Sequence, residues 1–330
     1  MKSYKVIIII LVLCLCIGGI SYSKSITKRS VHLMDDTPKN AQIFRYHFVV
    51  IAQNINETFW QSVKSGAQNA GQKYAAAVEF IGPEVQDDDE ELKYLNIAIA
   101  CNVDGIAVYV TDKSKLSPVI NKAVERGINV VTIESDDKNS RRKAYIGPNN
   151  YEIGAAQASL VREAVNGESN VALIFGGNYA ENQDSSEELL QSFKKSIESD
   201  KNIRLKSVKN SGSSYFGAEK IIRNILYDEP DINTVVCTSS DDTLEIARVL
   251  LDLNKTSDIT VIGYGYSSQV RDYIKNGVIF GSVYENPEKT GSKSIECLVN
   301  LLNMKDVSSN INTGVYKVTR NNLVSNSDGL

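Results

Sequence analysis

The chain has 330 residues, enough for two domains of ordinary size. Its 36 basic and 40 acidic residues give a formal net charge of -4, so it offers no basic footprint for a nucleic-acid backbone. Only two histidines occur, His32 and His47, and both precede the first predicted strand. This argues against histidine-based catalysis and histidine-rich metal sites.

The first 23 residues have the pattern of an export signal. Lys2 and Lys5 give a basic start, residues 6–20 carry no charge, and small residues occupy positions 21 and 23. The uncharged run is shorter than the roughly 20 residues of a membrane span, but residues 21–23 could extend it. A cleaved signal peptide and an uncleaved N-terminal membrane anchor therefore both stay open. Either one predicts an exported chain, at the cell surface or anchored to the membrane.

Residues 24–43 are polar and aperiodic, and they predict a flexible tether in front of the folded body. The body then alternates short apolar runs with longer segments of helical periodicity. In its first part the predicted strands are 48–52, 78–81, 105–109, 128–133 and 145–146, and the predicted helices are 59–74, 87–101 and 116–126.

The same alternation starts again after Pro148. Predicted helices cover 153–166, 187–199, 216–227, 244–253, 269–275 and 288–304, and predicted strands cover 171–175, 204–208, 234–237, 259–262, 278–284 and 315–318. Two series of βα units predict an α/β protein with two doubly wound parallel-sheet lobes. The strand count alone also allows an eight-fold barrel, but the break at 147–150 favours two lobes.

The cysteines that follow the export segment are Cys101, Cys237 and Cys297, an odd number spread widely along the chain. No Cys-x-x-Cys pair is present, so neither a disulfide framework nor a zinc site is supported. Each lies in an apolar stretch, which predicts small buried hydrophobic residues. We therefore expect no metal and no cofactor.

Several stretches resemble solute-binding proteins of the ribose/galactose/xylose type. They read FWQSVKSGA at 59–67, VDGI at 103–106, GINVVTI at 127–133, IGPNNYEIG at 146–154 and VIGY at 261–264, and the match is collinear from about residue 45 to 320. The resemblance implies a type I periplasmic binding protein fold with a three-segment hinge. It places one lobe at 44–148 plus 286–310 and the other at 149–285 plus 311–322.

A sugar site needs planar polar side chains for hydroxyl groups and aromatic faces for C–H surfaces. Polar and aromatic residues that follow the predicted strands supply such candidates: Asn54, Glu57, Phe59, Trp60, Tyr109, Glu134, Ser135, Asn178, Tyr179, Asp241, Tyr264 and Glu285. The hinge candidates are Gly147, Pro148, Asn149, Asn150, Tyr284 and Asn286. Any of them could instead be a loop or capping residue. Trp60 could be a core anchor, and Asp241 and Asp242 could cap the next helix.

The chain departs from the family pattern at several ligand positions. Glu134-Ser135 stands where the family usually has Asp-Arg, Glu187 where an arginine precedes Phe193 by six residues, and Glu285 where a glutamine or lysine is usual. Similarly, Ser240-Asp241 replaces Asn-Asp, and Gly265 replaces an aspartate. Three alternatives follow: a neutral sugar bound through other donors, a cationic or amino-bearing solute, or an interaction module without a ligand.

The resemblance implies a binder of a sugar such as a pentose, acting as receptor for a membrane sensor histidine kinase. The alternative is the binding component of a sugar ABC transporter, which would meet an ABC permease. A transcription factor would need a basic helix-turn-helix where the export signal lies. An enzyme is disfavoured because residues 263–266 lack the third glycine of a dinucleotide fingerprint and no phosphate-binding loop is present.

Overall fold

A computed structural model describes residues 44–164, 167–212 and 216–323. The predicted export segment and tether lie outside the described residues. The strands are β1 (Tyr46–Ile51), β2 (Ala76–Ile81), β3 (Gly105–Val108), β4 (Asn129–Ile133), β5 (Ala144–Gly147), β6 (Ser169–Gly176), β7 (Ile203–Gly212), β8 (Thr234–Cys237), β9 (Thr260–Tyr264), β10 (Gly281–Glu285), β11 (Asn310–Asn312) and β12 (Val315–Thr319).

The helices alternate with these strands. They are α1 (Thr58–Tyr74), α2 (Asp88–Ala100), α3 (Lys113–Glu125), α4 (Asn150–Ala164), α5 (Asn178–Glu181), α6 (Gln183–Ile197), α7 (Gly217–Asp228), α8 (Ser240–Asp252), α9 (Ser268–Asn276) and α10 (Pro287–Leu302). Side chains fix several helix starts: Asp87 accepts from two backbone N–H groups of α2, and Asn286 accepts from Lys289 N next to a proline at the first turn of α10.

The strands form two six-stranded sheets. The first has the order β11-β5-β4-β3-β1-β2 and is parallel throughout. The second has the order β12-β10-β9-β8-β6-β7 and is parallel except for its edge strand β12, which runs antiparallel to β10. The predicted pair of doubly wound parallel sheets is confirmed, with one antiparallel edge added.

Each sheet has an apolar core on both faces. In the first sheet, Phe48 and Val50 face a core with α1 and α10, whereas Val49 and Ile51 face a core with α2 and α3. The second sheet packs α7, α8 and α9 on one face and α4 and α6 on the other. Because both faces are covered, the central strands are continuous apolar runs, such as Val235 to Cys237 in β8.

The chain crosses between the sheets three times. It crosses from β5 to α4 at 147–150, from β10 to α10 at Asn286, and from β11 to β12 at 313–314. We call the first sheet with α1, α2, α3 and α10 the first lobe, and the second sheet with α4 to α9 the second lobe. Helix α10 belongs with α1 because the two backbones nearly touch: a Cβ on Gly66 would lie 1.9 Å from Glu288 O.

Some boundaries differ from the predicted ones. The short elements α5 and β11 were not predicted, because four and three residues carry no measurable periodicity. Helix α8 begins at Ser240, four residues before the predicted start, because Ser239 is its N-cap and Asp241 and Asp242 lie in its first turn. Strand pairing in β11 continues to Asn312, two residues past the segment predicted for the first lobe.

The described residues from 45 onward form one compact unit, which contains every strand and helix given above. Within the part of the chain that the structure describes, no helix has the length and hydropathy of a membrane span.

Candidate functional site

The carboxyl ends of the strands in the two lobes face each other. Two ion pairs join the start of α3 and the loop after β4 in the first lobe to α6 of the second lobe. Lys113 Nζ lies 2.7 Å from Asp184 Oδ2, and Lys138 Nζ lies 2.7 Å from Glu188 Oε1. The space between the strand ends is therefore an interlobe cleft, the place where open α/β sheets bind ligands.

The first lobe supplies a polar group at the end of β1. Asn54 Nδ2 donates to Glu57 Oε1 at 3.1 Å, and Asn54 Oδ1 accepts from Asn56 N at 2.9 Å. Glu57 lies at the start of α1, and desolvation and then the charge of Asp241 raise its pKa. Because Asp241 belongs to α8 of the second lobe, two predicted ligand residues are close enough to interact across the cleft.

The predicted aromatic residues of the first lobe lie deeper than the polar ones. Trp60 makes edge-on contacts with Phe59 at 5.4 Å and with Tyr109 at 5.5 Å between ring centroids. Trp60 is 1% exposed and Tyr109 4% exposed, and both belong to the core between the first sheet and α1. Trp60 thus anchors the core, and Phe59, which is partly buried, lies at the edge of that core.

Two carboxyl groups come together at the floor of the cleft. Glu134 follows β4 with φ of 62° and accepts from Thr290 Oγ1 at 2.7 Å. Glu285 ends β10 and accepts from Tyr264 Oη at 2.8 Å, while its buried Oε2 has no hydrogen-bond partner among the described protein side chains and backbone. Desolvation raises the pKa of both groups, and the neighbouring Glu285 charge raises that of Glu134 further.

Ser135, predicted beside Glu134 as a ligand residue, is 5% exposed and donates to Val110 O at 2.7 Å. This bond ties the loop after β4 to the loop after β3. The side chain therefore already has a structural partner.

The second lobe contributes aromatic side chains at the ends of β6 and β9. Tyr179 on α5 is 8% exposed, donates to Asn150 Oδ1 at 2.9 Å, and packs edge-on against Tyr264 at 6.3 Å. Desolvation followed by the Glu285 charge raises the pKa of both tyrosines, so their hydroxyl groups stay protonated donors. Asn178 begins α5, but its side chain lies outside the described part of the structure.

The predicted hinge residues lie at the first two crossings. A Cβ on Gly147 would lie 2.3 Å from Tyr145 Oη, which donates to Pro148 O at 3.3 Å, so a larger residue here would have to displace the Tyr145 ring. Asn149 Oδ1 accepts from Tyr151 N at 2.9 Å, and Asn150 Nδ2 donates to Glu188 Oε2 at 3.0 Å.

At the second crossing, Tyr284 stacks between two other rings of the second lobe. Its centroid lies 4.4 Å from that of Tyr266 and 5.5 Å from that of Tyr316. The next crossing residue, Asn286, caps α10.

Some residues of the cleft were not singled out by sequence. Thr290 and Tyr145 hold the floor, and Lys113, Lys138, Asp184 and Glu188 hold the rim. The two lysines follow predicted strands and could have been found by that criterion. Thr290 lies on a helix assigned by apolar periodicity, so nothing in its sequence context indicates a polar contact.

Among the described residues, no group of three or more histidine, cysteine or acidic side chains could hold a metal ion. Cys237 and Cys297 are buried, as predicted for small hydrophobic residues, and Cys101 is exposed, so its predicted burial is wrong. Cys101 lies at the C-terminal end of α2, where its side chain faces solvent.

Two lobes with facing strand ends and three crossings define a type I periplasmic binding protein. The sequence profile of the periplasmic binding protein domain matches residues 48–306, and the chain belongs to that family. A curated relative is the ribose import binding protein RbsB of Bacillus subtilis (strain 168), 21% identical over 257 residues that cover 78% of this chain and 82% of RbsB.

Two solved structures extend the comparison. GanP, a glucose-galactose binding protein from Geobacillus stearothermophilus, is 29% identical with a TM-score of 0.77, over 84% of this chain and 98% of GanP. A chain of the XylFII-LytSN complex is 27% identical with a TM-score of 0.73, over 84% of this chain and 99% of that chain. The predicted resemblance and fold are thereby confirmed, and RbsB and GanP are binding proteins by name.

Proposed function

We propose that the chain is an extracytoplasmic receptor that binds a small solute, a sugar such as a pentose, and acts with a membrane sensor histidine kinase. The observation that carries the proposal is the interlobe cleft, where amide, carboxyl and tyrosine groups of both lobes meet. Such groups recognise the hydroxyl pairs of a sugar. Closure about the three crossings would enclose the solute.

The lobes are proposed as 44–148 plus 286–310 and 149–285 plus 311–322, with residues 311–312 moved to the first lobe because they pair with β5. Residues 1–23 act as signal peptide or membrane anchor in this proposal, and 24–43 as tether. The family supports an extracytoplasmic location, since its relatives include an import binding protein. No enzymatic step and no cofactor are part of the proposal.

Isothermal titration calorimetry of residues 24–330 tests sugar binding. This segment keeps all the described residues of the compact unit. We expect heat from at least one of D-xylose, L-arabinose, D-ribose, D-galactose and D-glucose. Asp241→Asn in the cleft should weaken that binding at least tenfold. Asp252→Asn, at the exposed far end of the same helix, should leave it unchanged. Absence of heat from every sugar contradicts the proposal.

The kinase role is supported by the similarity to a chain of the XylFII-LytSN complex. The alternative, a sugar ABC transporter component, is supported by the similarity to RbsB. Crosslinking of the full chain in its native membrane, followed by mass spectrometry, separates the two. Capture of a sensor kinase extracellular domain supports the receptor, and capture of a permease without a kinase supports the transporter.

A further inference from the structure

Glu134 and Glu285 form the side-chain contact between the lobes at the floor of the cleft. Glu134 is held within the first lobe by Thr290 Oγ1 at 2.7 Å, and Glu285 within the second lobe by Tyr264 Oη at 2.8 Å. The two carboxyl groups lie near each other, because Thr290, which binds Glu134, is one helical turn from Asn286, the residue after Glu285. The charge of Glu285 accordingly raises the pKa of Glu134. Each carboxyl is therefore fixed by a partner in its own lobe, and the distance between the two carboxyls depends on how the lobes meet.

The surroundings offer no positive charge to this pair. Tyr145 from β5, Tyr179 from α5 and Tyr264 from β9 face it, and all three have raised pKa values because of desolvation and the nearby carboxylates. Among the described residues, no lysine or arginine pairs with either Glu134 or Glu285.

The nearest other charged groups are already compensated or point elsewhere. Asp136 pairs with Arg142 at 2.6 Å, and Glu188 pairs with Lys138 at 2.7 Å. Lys289 precedes Thr290 on α10, but its ammonium group lies beside Gly314 in the third crossing.

Two carboxyl groups in contact and out of water cannot both carry a negative charge without strong repulsion. A single proton between them removes the repulsion and supplies the missing hydrogen-bond donor. Desolvation raises the pKa of both groups, which favours a proton on the pair above the ordinary glutamate range. Separated and hydrated, each carboxyl would return to its ordinary ionisation.

We propose that closing the cleft takes up a proton from solvent, which Glu134 and Glu285 share across the lobe boundary and release when the lobes open. This rests on the proposed function only in that closure is the step that retains a solute. Since the closed state holds the proton, it is favoured at low pH. It loses that advantage as pH rises from the ordinary glutamate range through the raised pKa. With one proton linked, the ratio of open to closed molecules changes up to about tenfold per pH unit.

Small-angle X-ray scattering of residues 24–330 without any sugar tests this directly. From pH 5 to pH 9 we expect the radius of gyration of the unmodified sequence to rise reversibly. Glu134→Gln and Glu285→Gln should each abolish that rise, because an amide donates to the remaining carboxylate without an added proton. Glu91→Gln replaces another buried glutamate, in the first lobe and away from the hinge, and should keep the rise.

A radius that stays constant between pH 5 and pH 9 overturns the proposal, as does an unchanged rise in both Glu134→Gln and Glu285→Gln. Circular dichroism at each pH verifies that the variants are folded, and if one variant unfolds the other decides. Because no sugar is present, the result is independent of sugar binding. Failure to bind any sugar would count against the proposed function alone.

Discussion

The carboxyl group of Glu91 makes the stability of the first lobe depend on pH. Glu91 is 1% exposed on α2 and accepts a hydrogen bond from the Thr111 hydroxyl through Oε2. Its Oε1 is buried without a hydrogen-bond partner among the described residues. Desolvation raises its pKa from 4.5 to about 8, so the folded protein holds a proton that the unfolded chain releases above pH 4.5.

The sign and size of the effect follow from linkage. The contribution of the Glu91 carboxyl to the free energy of unfolding is fully present below pH 4.5. It falls as pH rises through about 8, by about 1.4 kcal/mol per pH unit. Over the whole window this amounts to about 5 kcal/mol. Glu91→Gln keeps an oxygen for the Thr111 hydroxyl and cannot ionise. We therefore expect the variant to match the unmodified protein near pH 4.5 and to exceed its stability by several kcal/mol at pH 8.

Urea denaturation of residues 24–330 from pH 4.5 to pH 8.5, followed by circular dichroism, measures both slopes. Glu91→Ala serves as a control for packing. It also removes the ionisable group, but it leaves a cavity and an unpaired Thr111 hydroxyl. It should lose the pH slope and be less stable at every pH, by about 2–5 kcal/mol relative to the glutamine variant. Parallel pH profiles for the unmodified protein and Glu91→Gln would refute the reasoning.

Three further substitutions test the packing that positions the cleft, each by thermal and urea unfolding. Gly66→Ala places a Cβ 1.9 Å from Glu288 O and should lower the free energy of unfolding by about 1–3 kcal/mol. An unchanged free energy of unfolding would show that α1 and α10 are not in contact. Arg142→Ala leaves the buried Asp136 carboxylate unpaired and should cost about 3–5 kcal/mol, whereas a loss under 1 kcal/mol would mean that the pair is exposed. Trp60→Ala should cost about 3–5 kcal/mol, and an unchanged midpoint would place its ring outside the core.

The architecture was predictable because its determinants are local. Strands buried on both faces read as continuous apolar runs, and helices between them carry apolar residues at helical spacing. The antiparallel edge of the second sheet has no such local determinant. The antiparallel edge strand β12 pairs with β10 only after the chain returns from the first sheet, and no residue pattern within 315–319 encodes that direction.

The position of Trp60 was also readable from the sequence. Trp60, Val63, Ala67 and Ala70 follow one another at helical spacing, and all four are buried. That periodicity places the indole on the core face of α1, next to Tyr109. Residues chosen only because they follow a strand thus fall into two groups, those that line the cleft and those that continue the core.

The pairing of Glu134 with Glu285 could not have been predicted in the same way. Each residue was identified as a candidate because it follows a strand, but they are far apart in the sequence and belong to different sheets. Their contact depends on how the crossings bring the lobes together, which is a property of the assembled fold. Asp241 and Glu57 are a second example. The charge of Asp241 raises the pKa of Glu57 only because the fold brings the two lobes together at this point.

The family places arginine or another cationic or amide donor at some positions where this chain has carboxylates. These carboxylates need not make the cleft a site for cations. A carboxyl group that retains its proton is a hydrogen-bond donor, so a protonated Glu134–Glu285 pair can take over part of the donor role of a missing arginine. A neutral sugar held in this way should bind more weakly as pH rises and the pair ionises. A protonated amine should instead bind more tightly over the same range, because it gains a charged partner. The sign of the pH dependence of affinity therefore separates the two ligand classes, and it does so even before the individual ligand is known.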